Sequence, residues 1–315
     1  MFLFNKYTSA VLTFSLISTS VWASHVEGED NKNVVRIARY SGDELSSRDK
    51  KFISIHSFGR DGSVEEAHKM LKEYGTSVHY FIPANQPQDG ESPEVFEFVD
   101  PSKVAFSIGP AVWCVNNGGT LFSTFLADTI SIGIGTKGYN IEEPDDFKGA
   151  SAAQIKAVAK LVKPYLQKGM QLVGHGEVTT NSLFRGPGTL VWKALSAEIV
   201  DIIKAEGLTL NSGGAIDFPY IIQDKVEKRA WKKEGDSTLQ DDLESSLSEL
   251  FRKIGYAVAD KGVVGDKGLR KPFIDAVQQF NNRYRPDLPR EQWRLIDESL
   301  ADAVYFIAHK KYREG

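Results

Sequence analysis

The chain has 315 residues, 41% of them hydrophobic and 25% charged, enough apolar material for one large folded domain and a smaller one. That balance excludes a disordered or fibrous chain, and a net charge of -4 with a pI near 5.9 supplies no basic field of the kind nucleic-acid binders use. Cys114 is the only cysteine, so an internal disulfide is excluded and stability must come from the core.

Lys6, an apolar run from Ala10 to Ile17 and then Val21-Trp22-Ala23 read as a secretory signal peptide over residues 1–23. This predicts export, to the periplasm or out of the cell, with a mature start near Ser24. No stretch reaches the roughly 20 apolar residues of a membrane helix, so the expectation is a soluble protein. Residues 24–50 form a polar extension with one strand-like run, Val34 to Ile37.

KFISIHSF then predicts a strand that delivers His56 to its carboxyl end, the edge at which α/β proteins place ligands. Ser63 with Glu65 and Glu66 opens a helix, Val64, Ala67, Met70 and Leu71 give it an apolar stripe, and Gly75 stops it. TSVHYFIPA, carrying His79 and Tyr80, VFEFVD and the β-branched TISIGIG predict further strands. Between the last two, an apolar approach from Lys103 to Cys114 leads into Asn116-Asn117-Gly118-Gly119. Ser151 caps a helix striped by Ile155, Val158, Leu161 and Val162. QLVGH is a strand that presents His175, followed by a Gly-, Thr- and Asn-rich loop closing on Pro187-Gly188, and Val191 to Ala205 is a helix.

The alternation of strands and helices predicts an α/β fold, a mixed central sheet flanked by helices, over residues 51–206. A Gly- and Ser-rich linker spans 207–236. Beyond it, apolar stripes at Leu243 to Ile254, Phe273 to Phe280 and Leu295 to Ile307 predict a small three-helix domain over 237–315, with Phe273, Phe280 and Trp293 as core aromatics. Packing on the first domain and a separate binding role are both open for it.

The ordered segments ISIHSF, SVHYFIP, AVWC with NNGG, SIGIG, AAQ, LVGHGEV and PG-LVW resemble those of the zinc-dependent N-acetylmuramoyl-L-alanine amidases of type 2, the peptidoglycan-recognition fold. That family's segments look like IxIHxT, SxHYxI, AWHAG, SIGIE, a helix with an early Gln, and GHxDIxPxRKxDPGxxFxW. QQFNNRYRPD is similar to the AFQxHFRP of the helical peptidoglycan-binding segment in the 1,6-anhydro-muramoyl amidases. The resemblance covers nearly everything after Val34.

It implies a zinc ion on two His and one Asp or Cys, which activates water and polarises the lactyl-amide carbonyl between muramic acid and L-alanine. It also implies a Glu that handles the proton and a basic residue at the oxyanion. His56 and His175 match two zinc ligands, and His79, Tyr80, Trp113 and Asn117 fall where muropeptide binds. The acid of SIGIE is Gly135, the Asp of DPG is Gly186, and the Lys is Phe184 with Arg185 beside it as a possible oxyanion or substrate contact. Glu177 and Cys114 are the candidates for a third ligand. With two imidazoles alone, zinc is expected to bind weakly or not at all.

The expected function is an exported peptidoglycan- or muropeptide-binding protein with hydrolysis lost or impaired. The alternative is a working zinc amidase of cell-wall turnover with a rearranged third ligand. Reuse of the fold to bind a protein partner stays open, and neither nucleic acid nor a membrane span is expected.

Overall fold

A computed structural model describes residues 24–25, 34–36, 50–58, 62–86, 94–107, 114–115, 120–121, 129–135, 150–179, 189–206, 239–258, 272–285 and 287–313. The strands are β1 (Ser24–His25), β2 (Val34–Arg36), β3 (Phe52–Phe58), β4 (Tyr80–Ile82), β5 (Val95–Glu97), β6 (Cys114–Val115), β7 (Thr120–Leu121), β8 (Thr129–Gly135) and β9 (Gln171–Gly174). The helices are α1 (Val64–Tyr74), α2 (Ala152–Gln167), α3 (His175–Val178), α4 (Thr189–Glu206), α5 (Leu239–Ile254), α6 (Phe273–Tyr284) and α7 (Glu298–Arg313). None of the described helices is long and apolar enough to cross a membrane.

Seven strands make one mixed sheet in the order β1-β2-β5-β4-β8-β3-β9, while β6 and β7 pair apart from it. Its centre is parallel: β4, β8, β3 and β9 run the same way, and β5 is antiparallel to β4. Parallel strands need both faces covered, which is why every residue of β8 is buried. On one face Ile53, Ile55, Ile130, Ile132 and Ile134 pack with Val158, Leu161 and Val162 of α2 and with Trp192, Leu195 and Ile199 of α4. The period of two sends Phe52, Ser54 and His56 to the opposite face.

The predicted helix signals hold in atomic detail. The Ser63 hydroxyl accepts from the Glu66 amide at 3.1 Å, and Gly75, at a φ of 62°, closes α1 in the left-handed region that glycine tolerates. Ser151 and Gln154 exchange a reciprocal capping box at the start of α2. The third carboxy-terminal helix starts later than its apolar pattern suggests. Asp297 accepts from the Leu300 amide at 2.6 Å, so α7 opens at Glu298, leaving Leu295 exposed and Ile296 only partly buried ahead of it.

The carboxy-terminal helices do not keep their core to themselves. Phe251 meets Tyr256, Phe273 and Phe280 edge-to-face, Tyr284 tilts against Phe280, and Phe52, Val173 and Val178 of the sheet region belong to the same apolar core. Trp293 is half-buried rather than central, its indole N–H donating to the Leu288 carbonyl at 3.1 Å. Because the two regions share one core, Phe280→Ala should lower stability by about 3–5 kcal/mol. In urea, near-UV and far-UV signals should lose structure in one shared transition. Two separated transitions would show that the helices fold independently of the sheet.

Candidate functional site

The meeting of the two predicted histidines follows from strand register. β3 and β9 are adjacent and parallel, with Ile55 opposite Gly174, so the next residue of each chain is a histidine. The ring centroids of His56 and His175 lie 5.1 Å apart at an interplanar angle of 75°. Both are buried, at 4% and 7% relative exposure. The His56 Nε2 shares a 2.7 Å hydrogen bond with the Ser131 hydroxyl of β8. Burial first, and then the like charge that His175 would carry, hold the His56 imidazole well below its ordinary pKa.

His79 is bonded into the framework of the sheet. It is fully buried, its Nδ1 accepts from the Ser131 amide at 3.0 Å, and its Nε2 donates to the Lys103 carbonyl at 3.1 Å. A carbonyl can only accept, so the neutral Nε2–H tautomer is fixed. Burial, with the Lys50 cation adding to it, lowers its pKa to about 3. Tyr80 is likewise buried, its hydroxyl bonded to that of Tyr165 at 3.0 Å, and burial pushes its pKa up. The sequence reading puts both at the ligand; in this structure both side chains are buried.

Glu177 is also placed differently from the expectation of a third metal ligand. It is the third residue of α3, one turn long, and its carboxylate folds back to accept from the Gly174 amide at 2.6 Å. Arg283 of α6 donates to the same oxygen at 2.7 Å, and the Tyr256 hydroxyl donates to the other. Arg283 also reaches the Leu172 carbonyl at 3.0 Å, with its guanidinium 4.6 Å from the Trp192 ring centroid. This carboxylate is turned into the helical region.

Where the resemblance expects the proton-handling acid, the backbone has closed over. A Cβ on Gly135 would stand 2.5 Å from the Gly62 carbonyl oxygen, 2.8 Å from the Phe81 ring and 3.1 Å from the Ala84 amide. Those two backbone groups are themselves bonded, Ala84 N–H to Gly62 O, at 2.8 Å. The Gln154 side-chain amide donates to the Gly135 carbonyl and to that of Ile82, tying the end of β8 to β4.

A hydrolytic zinc centre needs three protein donors and an open position. Two imidazoles, His56 and His175, are donors of the right type. Among the described residues, however, no group of three His, Cys, Asp or Glu could hold a metal. The described residues thus fit two ligands of the set and not the third. The Cys114 side chain, Trp113, Asn117, Phe184, Arg185 and Gly186 lie outside the described residues.

Three solved structures share this architecture over most of the chain. The N-acetylmuramyl-L-alanine amidase AmiD from E. coli, in complex with the substrate anhydro-N-acetylmuramic acid-L-Ala-D-gamma-Glu-L-Lys, is 19% identical. It covers 86% of this chain and 93% of its own, with a TM-score of 0.59. AmpDH3 from Pseudomonas aeruginosa is 20% identical over 84% of this chain and 93% of its own, with a TM-score of 0.55. Its complex with anhydromuramic pentapeptide gives 20%, 82%, 91% and 0.52 in the same order. The fold is that of the muramyl amidases, helical region included. No protein-family model and no curated protein matches the sequence.

Sequence reasoning missed Ser131, Tyr256 and Arg283. Only Arg283 had a readable signal, since it falls three residues after Phe280 on the apolar stripe of α6.

Two outcomes follow from the buried groups. Unfolded, His79 takes up a proton near 6.5, and folded only near 3, so between those values the unfolded chain holds more protons. Stability should fall as pH drops through this window, by about 1.4 kcal/mol per unit from this group, and His79→Gln should flatten that slope in urea titrations between pH 7 and 5. Gly135→Ala should cost about 1–3 kcal/mol by overpacking, read as a lowered urea midpoint.

Proposed function

We propose that this chain is an exported protein that binds muropeptides or peptidoglycan strands where β3 and β9 end at His56 and His175, and does not hydrolyse them. The observation that carries the reading is the closed backbone around Gly135. Amide hydrolysis needs a group that moves a proton between the attacking water and the leaving amine. At the position where the family keeps its carboxylate, Gly62 and Ala84 fill the space of even a first side-chain carbon.

Glu177 supports the same reading, because bonds from Gly174, Tyr256 and Arg283 hold its carboxylate away from the role of third ligand. The neighbours of the same fold, AmiD and AmpDH3, are described with anhydromuramyl peptides bound, which supplies the ligand class. The amino-terminal apolar segment supports export of the chain.

A second reading rests on the imidazole pair itself. His56 and His175 remain together, and the His56 pKa is held low, which favours the neutral form in which imidazole ligates metal, so a working zinc amidase with Cys114 as thiolate ligand is the alternative. In that case zinc would supply a Lewis acid for the amide carbonyl, and His56 and His175 would hold it.

The purified mature chain should be retained on insoluble sacculi, release no stem peptide from anhydromuramyl peptides with zinc added, and contain less than one zinc per chain. Gly135→Glu should create no cleavage. Stoichiometric zinc together with cleavage lost in His175→Ala would establish the amidase instead. Failure to bind sacculi, without cleavage, would move a protein partner ahead of both.

A further inference from the structure

The geometry points to Arg283 and Tyr256 as positioning residues for His175: through Glu177 the carboxy-terminal helices set the orientation of the one-turn helix that carries this imidazole. This rests on the reading that the His56–His175 end of the sheet is the ligand site.

His175 is the first residue of α3 and Glu177 the third, so a force on the carboxylate acts on the same turn as the imidazole. Within the turn the Glu177 carboxylate accepts from the Gly174 amide at 2.6 Å. The turn closes with the Thr179 amide donating to the His175 carbonyl at 3.0 Å, and a single turn of helix is not stable alone. Further fixed points come from the carboxy-terminal helices. The Tyr256 hydroxyl and the Arg283 guanidinium grip the two oxygens of Glu177 across sequence separations of 79 and 106 residues. Arg283 simultaneously reaches Leu172 on β9, so the strand that leads to His175 and the turn that follows it are bound to one rigid, planar group.

α6 also packs closely against the turn. A Cβ on Gly176 would approach the Gln279 side chain of α6 to 2.6 Å. A planar guanidinium with its donors in a fixed fork can serve both acceptors at once; an ammonium on a flexible stem cannot. The consequence is that the imidazole pair is assembled by both regions of the chain, and the sheet alone does not set its geometry.

The test uses the full chain at fixed neutral pH, with imidazole ring resonances of His175 and His56 followed by nitrogen–proton correlation spectroscopy. His68 on α1 and His309 on α7 serve as internal references. Arg283→Lys keeps the cation and loses the fork; Tyr256→Phe keeps the ring and loses one donor. Both should shift the His175 ring resonances, Arg283→Lys more, while His68 and His309 stay in place. A lowered thermal midpoint with His175 unmoved would overturn the proposal, because the residues would then be merely structural. Equal shifts at all four histidines would overturn it too, as general loosening. If Arg283→Lys does not fold, Tyr256→Phe decides alone, since its ring packing is unchanged. Retention of the unsubstituted chain on sacculi tests the ligand reading separately, and its failure leaves the ring shifts fully interpretable.

Discussion

The contact between Arg283 and Glu177 sets the relation of the sheet to the carboxy-terminal helices. Both partners are nearly inaccessible, with side-chain exposures of 7% and 1%. Taking two charges out of water costs several kcal/mol per ion, and their attraction offsets this only when the remaining donors and acceptors are also served. Here they are: Gly174 and Tyr256 complete the carboxylate, while Leu172 and the faces of Trp192 and Tyr284 complete the guanidinium. An apolar pair of similar volume could stabilise the interface as well. It would not dictate one orientation of α6 against α3, whereas an ion pair with a planar fork does.

A second buried polar line runs across the other side of His56. The bond from His56 to the Ser131 hydroxyl, the Ser131 amide to His79, and His79 to the Lys103 carbonyl form a continuous path through the sheet. Lys50 joins its end by donating to Lys103 and Thr129. Each link removes a desolvation penalty that the next group would otherwise suffer, so the imidazole of His56 is held in a low-dielectric, neutral state from behind. The two imidazoles are thus fixed by the register of β3 with β9, by this path and by the ion pair, and the bonds of the path and of the ion pair are made by residues other than Gly135.

That independence explains which parts of the site were legible in the sequence. Register and caps are local signals: β-branched runs placed β3 and β8, Ser63 and Gly75 bounded α1, the Ser151–Gln154 box opened α2, and the order of segments fixed the fold. The substitution at Gly135 was visible as a missing carboxylate, but the closure above it by Gly62 and Ala84 depends on two loops meeting in space. His79 and Tyr80 carry polar atoms on a strand, which reads as surface; their burial depends on Lys103 and Tyr165, distant partners without a sequence mark. The turn at His175 reads as loop because a four-residue helix has no periodicity. Arg283, a charged residue in an amphipathic helix, reads as solvent-facing unless its place on the apolar stripe is given more weight than its charge.

The same separation bears on how a fold of this kind divides recognition from reaction. Recognition needs a wall of fixed shape, and the ends of β3, β9 and α3 are held against α6 here. Reaction needs, besides that wall, a proton-handling group at the end of β8 and a complete ligand set. The first requirement draws its rigidity from the bonds of Ser131, Tyr256 and Arg283; the second needs room for a side chain beside Gly62, where a Cβ on Gly135 would already stand 2.5 Å from the carbonyl oxygen. Gly135 closes that space against the backbone of Gly62 and Ala84, while the bonds described for His56 and for the turn that carries His175 are made with Ser131, Tyr256 and Arg283.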